Sequence, residues 1–196
     1  MRRVLLATAL VLVPSLALAH PGLPGHTHDF ADGVLHPLSG FDHILAMVAV
    51  GLFAAQLGGR ALWAVPASFV AVMAAAGLAG MSGMALPLTE TGIALSIVAL
   101  GGVIALRVSM PLAAAMAMVG FFAAFHGYAH GAEAPDNASG LLYGAGFVAA
   151  TALLHGVGIG IGLTVGRIQG AYGRTLLRIA GSVAAVIGVA MLSGAA

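Results

Sequence analysis

The sequence predicts an all-α, polytopic membrane protein, with six transmembrane helices after a cleaved signal peptide. Three observations carry this. Charged residues make up 7% of the 196 residues and hydrophobic residues 61%, whereas a typical soluble domain is roughly 25% charged. Six apolar stretches follow the N-terminal segment, near residues 38–58, 61–80, 88–107, 110–131, 139–165 and 174–194. Each is long enough to cross a hydrocarbon core of about 30 Å, which takes roughly 20 helical residues. The few charges are also sorted by sign between alternate connections. With a mean hydropathy of +1.08, so few charges could not cover a soluble domain of this size. An ordinary cytosolic enzyme, a disordered chain and a nucleic-acid binder, which needs a basic face, are excluded. The net charge of +1 points to no partner.

The N-terminal segment is read first. Met1-Arg2-Arg3 is a short positive start, Val4 to Leu18 is apolar with Pro14 late in the run, and Ala17-Leu18-Ala19 is a small-x-small cleavage site. This pattern predicts a secretory signal peptide over residues 1–19 rather than the alternative, an uncleaved first membrane helix, because the run is short for a span and Pro14 sits where the helix should stop. Cleavage leaves His20 as the new terminus, where an α-amine and an imidazole on one residue form a plausible metal chelate. His20, His26 and His28, with Asp29 and Asp32, lie among Pro and Gly residues. Residues 20–37 therefore read as a flexible, extracytoplasmic, His-bearing tail rather than a helix. Residues 20–196 form one six-helix domain, with neighbouring helices antiparallel because the connections are short.

Orientation follows from the arginines, since the chain has no Lys. With the mature N-terminus outside, Arg60, Arg107, Arg167, Arg174 and Arg178 all face the cytoplasm. Asp29, Asp32, Asp42, Glu90, Glu133 and Asp136 all fall outside. The positive-inside rule is satisfied throughout, and six spans return the C-terminus to the outside. In these terms the chain is a multi-pass protein of a cytoplasmic membrane, with both mature termini extracytoplasmic. Gly158, Gly162 and Gly166, and earlier Gly140 and Gly144, recur every four residues, a spacing that lets membrane helices approach closely. Gly156-x-Gly158-x-Gly160 lies inside an apolar helix with no preceding strand and is not a nucleotide loop.

The chemistry sits in the histidines. With no Cys, disulfides, thiolate metal sites, iron–sulfur clusters and Cys nucleophiles are excluded. The first constellation runs from His36 through Pro37 and Gly40 to Asp42 and His43, at the outer start of the first span. Its Pro/Gly-containing turn can fold His36 back toward Asp42 and His43. Asp42 has a lesser reading as an acid favoured by a helix N-terminus. The second constellation is His126-Gly127-x-Ala129-His130-Gly131-x-Glu133, at the outer end of the fourth span. His126 and His130 are i, i+4 neighbours on one face, and Glu133 lies one turn further, so the three can converge on one divalent cation. Glu90, at the outer start of the third span, is a weaker candidate with an equal reading as a first-turn acid. His155 lies deeper in the fifth span, as a second station on a path or as a hydrogen-bonded structural residue. Imidazole and carboxylate donors suit Ni²⁺, Co²⁺, Zn²⁺ and Cu²⁺, whereas hard cations want more oxygen. Met81 and Met84 read as packing rather than a Cu(I) site.

These residues carry a resemblance. His36-Pro37-x-x-Gly40-x-Asp42-His43-x-x-x-Met47-x-x-Val50-Gly51 resembles the signature of the HupE/UreJ family of nickel/cobalt permeases, and the His126–Glu133 segment resembles that family's second motif. The resemblance extends over essentially the whole chain. It implies secondary uptake of Ni²⁺ or Co²⁺ for maturation of metalloenzymes such as hydrogenase or urease. It points to His36, Asp42, His43, His130 and Glu133 as metal-handling residues, with His126 close behind. Composition and spacing alone reach only a membrane protein with an outward-facing His/carboxylate metal site.

The expected partners are therefore a divalent transition-metal ion and the lipid bilayer. No permanent cofactor, nucleic acid or catalytic residue is expected, and the oligomeric state is open. Lacking a nucleotide-binding loop, such a permease would draw energy from a gradient or a partner. The alternative is an intramembrane zinc-dependent hydrolase whose metal activates water, with Ser39 or Tyr128 as polar helpers. A b-type haem protein with facing histidines and a non-transporting metal sensor or store are further readings.

Overall fold

The computed structural model describes residues 29–134, 138–168 and 171–194. The signal peptide, His20, His26, His28 and Asp136 lie outside the described residues. The described chain is all helical: α1 (Phe30–Ser39), α2 (Phe41–Leu57), α3 (Ala61–Met81), α4 (Thr89–Ala105), α5 (Leu112–Glu133), α6 (Ala138–Gly166) and α7 (Ala171–Leu192).

Four of these helices, α3, α5, α6 and α7, are long and apolar enough to cross a membrane. They coincide with the expected stretches to within a few residues. The other two stretches are shorter than expected. α2 and α4 have 17 residues each, or about 25 Å of helix at 1.5 Å per residue. α4 is bounded on both sides by non-glycine residues in the left-handed region, Leu88 (φ 60°) and Arg107 (φ 53°).

The N-terminal side of α2 differs from the sequence expectation. Residues 30–37, expected as tail, are helical. Asp29 caps α1 by accepting from the Ala31 and Asp32 backbone N–H groups at 2.8 and 3.1 Å, satisfying two amides that have no partner within the helix. The chain then breaks at Gly40, which is extended (φ −91°, ψ 116°), and α2 leaves at 87° to α1. Pro37 and Gly40 are turn signals, but they mark a corner between two helices rather than a loop.

Glycines set the helix contacts. A Cβ on Gly127 would strike the Met73 carbonyl, and one on Gly131 the Gly77 carbonyl, so α5 lies backbone-to-backbone along α3. Gly51 and Gly158 do the same for α2 and α6. Of the expected small-residue series, Gly158 and Gly162 pack against α2, while Gly144 and Gly166 face open space. The core is continuous through Met47, Val50, Phe53, Phe69, Leu100 and Phe147. Trp63, Phe121, Leu153 and Val186 are at least 60% exposed, an apolar outer surface that suits lipid rather than water. The chain is a multi-pass membrane protein.

Candidate metal site

Three helices bring the two constellations together at one end of the bundle. α1 supplies His36, the first turn of α2 supplies Asp42 and His43, and the last turns of α5 supply His126, His130 and Glu133. The corner at Gly40 turns His36 back, but the partners it meets are His130 and Glu133 rather than the expected Asp42 and His43. His36 Nε2 lies 3.9 Å from Glu133 Oε2, and its ring centroid lies 4.7 Å from that of His130. One ligand atom from each of His36, His130 and Glu133 lies within 4.8 Å of the others, a group able to hold a metal ion.

His130 joins this group to the second. Its Nε2 is 2.6 Å from His43 Nε2, and His43 Nδ1 donates to Asp42 Oδ1 at 2.9 Å. The tautomers follow from the donor inventory. An ionised carboxylate only accepts, so neutral His43 carries its proton on Nδ1 and presents a lone pair at Nε2. His130 therefore donates through Nε2. A cation held by both nitrogens at about 2.0–2.1 Å would separate them by roughly 2.9–3.4 Å for bond angles of 90–110°. Loading the pair thus requires a spread of under about 1 Å and removal of the His130 Nε2 proton. Asp42 sits behind His43 as the carboxylate of a carboxylate–histidine–metal arrangement, fixing ring orientation and raising basicity. A Cβ on Gly40 would lie 2.8 Å from Asp42 Oδ1 and 3.0 Å from His43 Nδ1. That corner must therefore lack a side chain for the pair to form.

Exposure falls steadily along this set. The side chains of Glu133, His36 and His43 are 61%, 40% and 10% exposed, while His130 is buried and His126 has no exposed surface. His126 stands edge-on to His43 at 5.2 Å and continues the series inward. Its Nε2 bonds to the Ser96 hydroxyl of α4 at 2.9 Å. His155 lies deeper again, 1% exposed, with the Phe69 ring 5.1 Å away; the same ring is 5.7 Å from His126. Glu90 is exposed in the first turn of α4 and is not in the His36–His130–Glu133 group.

Two contributors lie outside the sequence reading. Phe147 of α6 stacks on His130 at 4.2 Å and walls the cluster. A mostly apolar cavity of about 340 Å³ opens beside it, lined by Met73, Gly77, Gly127, His130, Tyr143 and Phe147. Ser96 is the other. A lone hydroxyl in the middle of an apolar run was its available signal, since a buried hydroxyl needs a partner.

Comparison with known proteins identifies the family. The family described as "HupE / UreJ protein" matches residues 8–191. "Protein HupE" of Rhizobium leguminosarum bv. viciae is 46% identical over 187 residues, covering 95% of each chain. No solved structure matches. With both motifs gathered at one end of the bundle and the match running over nearly its whole length, the chain belongs to the HupE/UreJ family.

Proposed function

We propose that this protein is a secondary transporter that takes up Ni²⁺ or Co²⁺ across a bacterial cytoplasmic membrane and supplies metalloenzyme maturation, such as that of hydrogenase or urease. The observation that carries the reading is the graded polar series at one end of the bundle. Exposed Glu133 and His36 meet the cation, and buried His130 and His43, backed by Asp42, receive it as it loses water. A transport site needs several donors of moderate strength so that an ion can leave as well as arrive. Ionisable groups at membrane depth are costly and belong to such pathways.

In this reading residues 1–19 are a removed signal peptide and residues 20–196 are the permease domain. Six segments cross the bilayer, with α2, entered through the α1 corner, and α4 as the two short spans. The histidine end faces outward with both termini, and the arginines face the cytoplasm. His126, bonded to Ser96, lies just beneath the outer site. His20 and Glu90 remain peripheral candidates for capture. The protein is not an enzyme. The hydrolase alternative gains nothing from Ser39, whose hydroxyl donates to its own helix at His36 O (2.7 Å).

The test is ⁶³Ni²⁺ uptake by intact cells expressing the chain, beside an Asp42→Ala/His43→Ala variant of matched membrane abundance. Uptake competed by Co²⁺ and reduced at least about a hundredfold in the variant is expected, since a ligand and its orienting partner are both lost. Uptake equal in the two, or absent from correctly inserted parent protein, would sink the reading.

A further inference from the structure

Beyond the outer cluster, three buried nitrogens have no hydrogen-bond partner on His126 and His155: His126 Nδ1 and both ring nitrogens of His155. The state of His126 is fixed by Ser96. The Ser96 hydroxyl has one hydrogen, and it goes to the Ile93 carbonyl at 2.6 Å. Ser96 can therefore only accept from His126, whose Nε2 carries the proton. His126 Nδ1 is then a bare lone pair in a fully buried side chain.

The surroundings of His155 extend this donor set. On α6, Thr151 and His155 are one turn apart; on α3, so are Phe69 and Met73. The two pairs face each other in register: the Phe69 ring stands edge-on to His155, and the Thr151 hydroxyl donates to the Met73 sulfur at 3.7 Å. Phe69, with no exposed surface, packs its one ring against both histidines. Imidazole nitrogens, a thioether and a hydroxyl, with no carboxylate, form a neutral and comparatively soft donor set. Borderline late transition-metal ions suit it, and hard cations do not. A histidine kept for structure would spend its nitrogens on hydrogen bonds, and His155 spends neither.

We infer that His155, with His126 Nδ1 and the Met73 thioether beside it, forms a second and inner station for a borderline divalent metal ion, reached from the outer cluster when the Phe69 ring moves aside. Ser96 is a positioning residue that keeps the His126 lone pair aimed away from α4. The inference rests on the reading of the outer cluster as the capture site, and its test separates the two.

The full chain, purified in detergent, is dialysed to equilibrium against ⁶³Ni²⁺. The expected result is two equivalents for the parent, with one lost in His155→Leu and the other lost in His36→Ala/Glu133→Gln. Ser96→Ala, which leaves every donor in place, is expected to weaken only the equivalent that His155→Leu removes, by about 10- to 100-fold. Leu is chosen because His155 has no hydrogen bond to lose; should that variant not accumulate, Ser96→Ala decides alone. Two equivalents of unchanged affinity in His155→Leu, or in Ser96→Ala, overturn the inner station. So does a parent that binds one equivalent, lost in His36→Ala/Glu133→Gln, and in that case the capture site survives. If His36→Ala/Glu133→Gln keeps both equivalents while His155→Leu loses one, the inner station stands and the capture site falls. No binding by the parent overturns both.

Discussion

The two ends of the bundle treat charge in opposite ways. At the histidine end the described carboxylates Asp29, Asp32, Asp42, Glu90 and Glu133 all sit at or near helix ends, and the imidazoles between them point at one another. At the other end Gln56, Arg107, Arg167 and Arg174 line a more polar cavity of about 390 Å³, with every arginine exposed. No described carboxylate lies there to neutralise them. What polar work that end does is for the backbone. Gln56 Nε2 donates to the Val103 and Val108 carbonyls at 3.2 and 3.0 Å, and Arg178 Nε donates to the Ala105 carbonyl at 3.1 Å. These bonds tie off the end of α4, where carbonyls lack helical partners and the dipole favours a cation. α2 thus carries a metal-competent histidine at its start and a helix fastener at its finish. On the proposed reading, the contrast separates polar groups that must be oriented toward a guest from charges that need only be present on one side of a membrane.

The largest effect expected from this contrast is at Asp42. Asp42→Asn keeps an oxygen able to accept from His43 Nδ1 but removes the negative charge behind the imidazole. Apparent affinity for Ni²⁺ in uptake should weaken about 10- to 100-fold, as losses of an outer-shell partner do, with membrane abundance unchanged. A variant with parental affinity would make Asp42 a helix-terminal acid and remove the asymmetry between the two ends.

A smaller effect, of a different kind, is expected at Gln56. Gln56→Leu leaves the Val103 and Val108 carbonyls without their donor in a part-buried site. The loss should be about 1–3 kcal/mol, read as a lower midpoint for thermal unfolding in detergent. Ni²⁺ affinity should be unchanged, because the histidine end lies a full helix length away. A weakened affinity with normal stability would mean that the arginine end belongs to the permeation path.

The two ends were not equally legible in the sequence. Arginine placement was readable because the positive-inside rule acts on residues one at a time. The long spans were readable because α3, α5, α6 and α7 are apolar along their whole length. The shared helix of His126 and His130 followed from their spacing, and the meeting of His130 with His36 and His43 from the orientation that the arginines imposed; that His126 leaves the Glu133 group for Ser96 did not. α1 was not readable. Pro37 and Gly40 argue locally for a turn. The helix is held instead by the Asp29 cap and by Gly33 packing against the Tyr143 carbonyl, a contact 110 residues away in the chain. The Ser96–His126 bond was hidden for the same reason: its partners are 30 residues apart on different helices. The grading of exposure from Glu133 to His126 is likewise a property of packing, not of residue type.

The smallest effect is expected at the arginines themselves, and it is the sharpest check on what that end is for. Arg167→Gln/Arg174→Gln removes two positive charges from the rim of the 390 Å³ cavity. Neither guanidinium is buried, so no desolvated partner is stranded. Exposed charges on a protein surface contribute little to stability, of order 1 kcal/mol or less even when paired. In the proposed orientation Arg60, Arg107 and Arg178 still mark the cytoplasmic side, so that orientation should hold. Ni²⁺ uptake should stay within about twofold of the parent, by the same reasoning on exposed charge. A cation leaving through this end would instead feel the loss of two like charges as a lowered barrier. Uptake raised several-fold, with capture affinity unchanged, would place the exit beneath these arginines and turn the contrast between the ends into one continuous route.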